Sequence, residues 1–255
     1  MPETSTVGSV TDKPARSRTR QARGRPRIRQ DAEILDAALK AFASQGYGAM
    51  SLRSLNAGLG LSHGTISQRF GTKERLYFAA VDRGFAVLME DIDSRRRHYL
   101  TTIDPPDDLA DLRATIRAFL GAALLRPELG RLMNQEGPQS TARLRYLVES
   151  TVNPMMETIG GVFLRLRAER RIRPVSARGL FFLVTQGAES PYTLSALSGA
   201  FDTFDGPLDP ERHADEMTDV IMRGISLEGT VQDGATSALR ARAGPQPLMA
   251  SPYQA

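Results

Sequence analysis

Residues 51–73 constrain the fold most, because they predict two short helices joined by a tight turn. Ser51 is a plausible N-cap for the first helix. Apolar residues then recur at the spacing of one buried helical stripe, at Leu52, Leu55 and Leu59. Gly60 can adopt the left-handed conformation that closes a helix, so we predict that the helix stops there. A helix, a short glycine turn and a second helix together predict a helix-turn-helix.

We predict that Ser62 caps the second helix and that this helix runs to about Phe70. At 100° per residue, Ile66 and Phe70 share one face, while the opposite side is small and polar. That polar side consists of Gly64, Ser67 and Gln68, flanked by Thr65 and Arg69. Such residues suit the DNA major groove, where Gln pairs with adenine and Arg with guanine or a phosphate. The alternative is an ordinary amphipathic helix with a solvated polar face.

The flanking residues favour the DNA interpretation. Gly71 breaks the second helix, and Thr72 can cap a third with Lys73 in its first turn, which suits a DNA phosphate. Upstream, Asp31 can cap a helix that ends at Gln45, before Gly46. Its predicted buried stripe is Ile34, Leu35, Ala38, Leu39 and Phe42.

These residues resemble the DNA-binding domain of the TetR/AcrR family of bacterial transcriptional regulators. The similarity lies in ILDAALKAFASQGY at 34–47, GLSHGT at 60–65, Phe70, and TKERL at 72–76. The resemblance implies that two positions of the motif, 63 and 67, contact phosphates. This sequence has His63 and Ser67 where the family usually has Lys and Tyr, a difference that bears on operator affinity and sequence rather than on fold. It also has Asn56 where a small Ala is usual, and an additional Gly58.

The predicted DNA-contacting residues come from the helix-turn-helix and its neighbours. They are Ser51, Arg53, Ser62, His63, Gly64, Thr65, Ser67, Gln68, Arg69 and Lys73.

The N-terminal residues form a basic arm. Residues 1–30 hold eight Lys or Arg against two acidic residues, whereas the whole chain carries a net charge of only +4. The arm lacks a hydrophobic stripe, so we expect it to be disordered in the free protein. Its RGRPR segment, with Arg23, Arg25 and Arg27, resembles an AT-hook core that enters an A·T-rich minor groove. The alternative is a basic tail that only aids solubility.

Composition sets the outer limits. The chain has 255 residues, 41% of them hydrophobic and 24% charged, which is typical of a soluble globular protein. It has no cysteine, which excludes disulfides and cysteine nucleophiles. We find neither a signal peptide nor an apolar run of about 18 residues, so a cytoplasmic location is expected.

Helical patterns continue to about residue 227. A long helix is predicted from Lys73 to Asp93, and it is expected to bend at Gly84. Further helices are predicted at 109–126, 128–135, 141–172 with a kink at Pro154, 176–198 and 210–227. The expected division is an arm at 1–29, a DNA-binding domain at 30–90, an effector-binding and dimerisation domain at 91–228, and a flexible tail at 229–255.

The last two helices resemble the family's dimer interface, in which two helices from each subunit form a four-helix bundle. A twofold protein would match a palindromic operator. The alternative is that these helices complete a monomer core.

The middle helices resemble the family's effector-binding domain. Polar or soft residues among apolar ones could line a pocket for a small apolar molecule, and the candidates are Met133, Tyr146, Gln186 and Tyr192. Core or surface packing is the alternative for each of them.

Parts of the sequence also match two other classes of protein, a serine hydrolase and an architectural DNA-binding protein. GLSHG at 60–64 matches the G-x-S-x-G pattern of a hydrolase, but that pattern needs a preceding strand. The three histidines show no metal-binding spacing, and no cofactor is predicted. An architectural DNA-binding protein without a ligand would explain the arm but not the sensor-like half. The sequence therefore predicts an all-α, homodimeric, ligand-responsive regulator, most simply a repressor bound to double-stranded DNA, and not an enzyme.

Overall fold

A computed structural model describes residues 30–227 of the chain, and all of its regular elements within that range are helices. The α-helices are α1 (Asp31–Ala49), α2 (Leu52–Gly58), α3 (Thr65–Phe70), α4 (Lys73–Leu100), α5 (Asp108–Ala123), α6 (Pro127–Glu136), α7 (Ala142–Leu147), α8 (Asn153–Ala168), α9 (Ala177–Phe182), α10 (Ser190–Thr193), α11 (Ser195–Gly199), α12 (Asp202–Asp205) and α13 (Pro210–Ile225). Two π-helical segments lie at Val148–Val152 and Leu183–Ala188. The predicted all-α fold is confirmed.

Helices α1 to α4 share one small core. The predicted stripe of α1 faces inward, with Ile34, Ala38 and Leu39 fully buried and Leu35 partly so. Phe42 and Tyr77 pack edge to face with ring centroids 5.0 Å apart, and Tyr47 stacks on Phe42 and meets Tyr77 edge to face. Such aromatic contacts add to the hydrophobic gain and fix α1 against α4. This core gives the helix-turn-helix a rigid support.

Helix α1 bends where the sequence predicts its end. Gly46 has a φ of 79°, which a helix cannot contain and which glycine adopts without strain. A short helical stretch then continues to Ala49. Asp31 is the first helical residue, and Gln30 occupies the N-cap position that had been predicted for Asp31.

Helix α4 is longer than predicted. It runs without interruption past Asp93 to Leu100, and Gly84 lies inside it with helical geometry. The glycine serves packing, since a Cβ there would lie 2.6 Å from Leu39 Cδ2 and 3.0 Å from Leu129 Cδ2. The expected boundary at residue 90 thus falls within one continuous helix that belongs to both parts of the chain.

A second core lies between α5, α8, α9 and α13. Its buried side chains include Leu120 on α5, Leu166 on α8 and Ile221 on α13. Within these helices the buried residues recur at helical spacing, as on the inner face of an amphipathic helix. After α13 the chain pairs with the segment following α8, and the Leu227 amide donates to the Arg171 carbonyl at 2.9 Å.

Two predicted helices are interrupted in the structure. The predicted 141–172 helix is α7, a π-helical segment and α8, and it ends at Ala168. The interruption comes just before Pro154, whose missing N–H removes a helical hydrogen bond. The predicted 176–198 helix is wrong as a single element, because it breaks into α9, a π-helical segment, α10 and α11. Pro191 lies in the first turn of α10, where proline is tolerated.

The remaining helices, α5, α6 and α13, lie close to their predicted bounds. None of the helices between residues 30 and 227 has the length and apolar character needed to cross a membrane. The predicted basic arm and flexible tail lie outside the described residues.

Candidate nucleic-acid interface

Helix α2 begins and ends as its sequence predicts. Ser51 occupies the N-cap position in an extended conformation, although its side chain makes no capping hydrogen bond. Leu52, Leu55 and Leu59 are partly buried against the first core. Gly60 then has a φ of 66°, the left-handed conformation that lets the chain leave the helix.

Helix α3 starts later than predicted. The residue at its N-cap position is Gly64, with a φ of 85°, and the helix begins at Thr65. Ser62 is therefore not the cap. Its hydroxyl instead lies 2.6 Å from the Thr65 hydroxyl, which donates to the Ser62 carbonyl at 2.9 Å. The Ser62–Thr65 turn uses these polar groups locally.

Asn56 provides the hydrogen bond that α3 lacks at its own N-terminus. The Ile66 amide donates to Asn56 Oδ1 at 3.2 Å, and Asn56 Nδ2 donates to the Leu52 carbonyl at 3.0 Å. The asparagine is only 5% exposed. Because a buried, unpaired amide is costly, this side chain fixes α3 against α2. Asn56 stands where the resembled family usually has a small Ala, and the sequence alone does not predict this contact.

The two faces of α3 separate as predicted. Ile66 is fully buried and Phe70 is partly buried, while Ser67 and Gln68 are exposed. Arg69 is exposed at the end of the helix and forms an ion pair with Asp31 of α1. The helix is thus held by its apolar side and presents polar side chains outward.

The start of α4 lies beside the helix-turn-helix. Thr72 caps it, as predicted, and accepts from the Arg75 amide at 3.2 Å. Lys73 Nζ donates to the Gly48 carbonyl at 3.2 Å and lies 4.7 Å from the centre of the Tyr47 ring. The lysine therefore points toward the end of α1, where a cation–π contact holds it.

The other predicted contacts are distributed around this surface. Ser51, Arg53, Ser62 and His63 are exposed, and Gly64 and Thr65 are half-buried. Arg23, Arg25 and Arg27 lie outside the described residues, so the arm stays a prediction.

A cavity of about 130 Å³ lies in the second half of the chain, between α4, α5, α8, α9 and the π-helical segment after α9. Its wall is mostly apolar, and its polar members are Asp93, Arg96, Asp111, Thr115 and Thr185. The sequence signal for it was weak, because Met and aromatic residues at helical spacing more often form ordinary core.

None of the four predicted effector-pocket residues lines this cavity. Met133 packs on the first core, and Gln186 is exposed. Tyr192 is buried, and its hydroxyl donates to the Pro210 carbonyl at 3.3 Å. Tyr146 donates to the Asp82 carboxylate at 2.7 Å. The structure does not bring the four together.

Tyr146 links α7 to α4. Burial and the neighbouring Asp82 carboxylate raise the pKa of its phenol to about 12, so the hydroxyl stays a donor at neutral pH. Its ring packs on Phe78, with centroids 4.2 Å apart. Arg143, also on α7, lies 4.2 Å from the Tyr47 ring centre. Contacts from α7 therefore reach the helices that support the helix-turn-helix.

The hydrolase pattern does not have the required geometry. Gly60 to Gly64 connect α2 to α3, whereas a nucleophile elbow connects a strand to a helix. Among the described residues, no three His, Cys, Asp or Glu side chains are grouped to hold a metal ion.

Comparison with known proteins agrees with this geometry. The family model for bacterial regulatory proteins of the tetR family matches residues 34–80. The HTH-type transcriptional repressor Rv3405c of Mycobacterium tuberculosis is 37% identical over 73 residues, which are 29% of this chain and 38% of that protein. The HTH-type transcriptional regulator Mb3439c of Mycobacterium bovis matches equally. The chain thus spans about two fifths of the length of these relatives.

Solved structures extend the similarity of fold over most of the chain. A tetR-family regulatory protein from Rhodococcus RHA1 superposes with a TM-score of 0.55 and 16% identity, over 79% of this chain and 100% of that one. The ketosteroid transcriptional regulator KstR2 of Mycobacterium tuberculosis gives 0.55 and 18%, over 80% and 98%. At these identities the likeness concerns the fold.

The helix-turn-helix and its supporting core have the architecture of the DNA-binding domains of HTH-type transcriptional regulators, and an all-α domain follows them. Within that class, residues 34–80 are similar to the DNA-binding domain of the TetR family of bacterial regulatory proteins, and the fold of most of the chain resembles that of a tetR-family protein.

Proposed function

We propose that the protein is a homodimeric repressor that binds a palindromic operator and leaves it when a small-molecule effector binds. The single observation that carries the DNA part is the presentation of α3. Ile66 is buried and Asn56 fixes the first turn, so Ser67 and Gln68 are held outward on a rigid helix. A recognition helix needs this combination, because base readout depends on the position of side chains in the major groove.

The charged groups around α3 would position it on the duplex. Ser51, Arg53 and Lys73 are assigned to phosphates, since such contacts fix register without reading sequence. The present partner of Lys73 is a neutral carbonyl, so its positive charge still attracts a phosphate. Arg69 would exchange Asp31 for the DNA. The arm with Arg23, Arg25 and Arg27 is assigned to the adjacent minor groove.

The C-terminal elements support the dimer. Nine of the twelve large apolar side chains that are exposed within residues 30–227 lie between Phe182 and Leu227. Val220 on α13 is 62% exposed, and Phe182 and Leu183 are about half exposed. Exposed large apolar side chains concentrated in one part of a chain favour a protein interface there. A dimer through these elements would place two α3 helices on successive major-groove faces, about 34 Å apart.

Helix α4 connects the cavity to the DNA-binding domain. Lys73 starts the helix, and Met89 and Ile92 line the cavity. At 1.5 Å per residue, these sites are about 24 Å apart along one rigid element. A ligand that fits the cavity only when α4 is displaced would favour a dimer whose α3 spacing no longer matches the operator. Bacterial operators lie in the cytoplasm, so the proposed DNA binding implies that the protein is cytoplasmic.

The test is a pair of alanine variants assayed on a duplex selected from a random library. Gln68→Ala should lose about 1–3 kcal/mol of binding to that duplex. Gln139→Ala is the matched control, because Gln139 is exposed between α6 and α7. If Gln68→Ala and Gln139→Ala bind the selected duplex with equal affinity, α3 is not the helix that reads the base sequence. Binding to most duplexes with similar affinity at low salt would instead favour the architectural alternative.

A further inference from the structure

The cavity has an apolar wall built from four directions. Met89 comes from α4, Phe119 from α5, Met156 from α8 and Phe181 from α9. Thioethers and aromatic rings adapt to the shape of an apolar guest, and binding removes their surfaces from water. The wall therefore favours a guest that is mostly hydrocarbon or aromatic.

Four of the five polar side chains of the wall form hydrogen bonds within the protein. Arg96 donates to both Asp111 carboxylate oxygens, at 2.5 and 2.7 Å, in a two-pronged ion pair. The Thr115 hydroxyl donates to the Asp111 carbonyl at 2.8 Å, and the Thr185 hydroxyl donates to the Phe181 carbonyl at 2.9 Å. Arg96 thus uses two of its N–H donors on Asp111, and each threonine hydroxyl donates to a backbone carbonyl. The positive charge of Arg96 is already paired with a carboxylate, so an anionic guest would compete with Asp111 for it.

The charges of the cavity wall also disfavour an anionic guest. It contains two carboxylates, Asp93 and Asp111, and one guanidinium, Arg96. The hydrogen bonds that Arg96 donates to Asp111 are the largest cause of its raised pKa, and the negative charges of Asp111 and Asp93 raise it further. A guest carboxylate would add a third negative charge beside a single guanidinium that Asp111 already neutralises, and this is unfavourable in an apolar cavity.

We propose that this cavity binds an uncharged, predominantly apolar molecule and discriminates against anions of the same shape, through the Arg96–Asp111 pair. The proposal rests on the proposed function only in treating this molecule as the effector. Binding and its charge preference are measured without DNA, so they stand or fall separately from DNA release.

Two neighbouring glycines of α8 provide a matched test of location. Gly160 lines the cavity, and no atom lies within 4 Å of a Cβ built on it. A Cβ at residue 160 therefore meets no atom, and the leucine side chain of Gly160→Leu should occupy space in the cavity. Gly161 is exposed and does not line the cavity, so Gly161→Leu is the control.

The probes are N-phenyl-1-naphthylamine, which is neutral, and 1-anilinonaphthalene-8-sulfonate, which adds a sulfonate to the same skeleton. Both become fluorescent in apolar surroundings. Titration of the full chain should give a dissociation constant at least about tenfold lower for the neutral probe. Gly160→Leu should raise that constant at least about tenfold, whereas Gly161→Leu leaves it within about twofold.

A third variant tests the discriminating pair. Asp111→Asn frees the Arg96 guanidinium and removes a negative charge, so the preference for the neutral probe should fall at least about threefold through tighter sulfonate binding. Thermal melts confirm that each variant is folded. Equal or tighter binding of the sulfonate by the natural sequence overturns the proposal, as does unchanged binding by Gly160→Leu or an unchanged preference in Asp111→Asn. Release of DNA by the neutral probe is recorded separately and reports on the proposed function.

Discussion

Asn56 holds helix α3 through a single side-chain amide. Its Oδ1 accepts the Ile66 amide, and its Nδ2 anchors it to its own helix at Leu52. Most helices obtain such an acceptor from their N-cap residue, but here Gly64 has no side chain. The orientation of α3 therefore depends on a residue of the preceding helix.

Asn56→Ala should leave the Ile66 amide unpaired and destabilise the protein by about 1–2 kcal/mol. The first turn of α3 should exchange its amide hydrogens faster, and operator affinity should fall even where the protein is folded. Ser54→Ala, at an exposed position on the same helix, is the control. Hydrogen exchange and DNA titration check both effects. Unchanged protection of Ile66 would show that Gly64 and the turn suffice.

Glu189 gives the protein a predictable pH dependence. Its carboxyl is 4% exposed and lies against Gly130, where a Cβ would clash with Oε1. Burial raises the pKa of this carboxyl from 4.5 to about 7. Between these pH values the unfolded chain releases the proton while the folded protein keeps it, so stability falls as pH rises, by about 3 kcal/mol at most.

Glu189→Gln should remove that dependence. The variant should match the natural protein near pH 4.5 and be more stable by about 1–3 kcal/mol at pH 8, since the amide carries no charge to bury. Urea unfolding at several pH values measures the difference. Glu149→Gln, at an exposed carboxyl, should show no such trend. A constant difference across pH would mean that the carboxyl is already ionised when folded.

At the element scale, helix α4 joins the two halves of the molecule. It packs on α1 near its start, passes α6 at Gly84, and lines the cavity near its end. It is continuous through Gly84, as the proposed coupling between cavity and DNA-binding domain requires. The close approach of three helices at this glycine fixes where α4 can lie.

Gly84→Ala should destabilise the protein by about 1–3 kcal/mol, because its Cβ would overlap the Leu39 and Leu129 methyl groups. Gly58→Ala is the control, since its Cβ meets no atom within 4 Å. That change should be neutral or stabilise by up to about 1 kcal/mol. Midpoints of urea unfolding compare the two variants. A Gly84→Ala protein as stable as the natural one would show that α4 can shift locally.

The elements differed in how well the sequence predicted them. Strong caps and stripes gave α1, α2, α5, α6 and α13 near their observed bounds, because local signals set them. The start of α3 was misplaced, since Ser62 resembles a cap and only tertiary contact with Asn56 completes the helix. The 176–198 segment is apolar on several faces, so periodicity could not locate its breaks. The cavity has no local signal, because it is a gap between five elements.

At the scale of the whole molecule, the exposed apolar surface near the C-terminus favours a dimer. Val220→Asp would place a charge at the centre of the proposed interface and should shift the protein from dimer to monomer. The position is exposed, so the subunit fold should survive. Leu164→Asp is the control, because Leu164 is similarly exposed on α8. Sedimentation equilibrium gives the masses, and a dimeric Val220→Asp protein would place the interface elsewhere.

We propose that a dimer of this chain reads a specific DNA sequence. The most direct measurement is fluorescence anisotropy with a duplex selected from a random library, against a scrambled duplex of equal length, across a salt series. We expect a palindromic duplex, two chains per site, and at least about hundredfold preference, equivalent to about 2.7 kcal/mol. Equal binding of both duplexes, with affinity collapsing as salt rises, would show phosphate contacts alone and contradict the account.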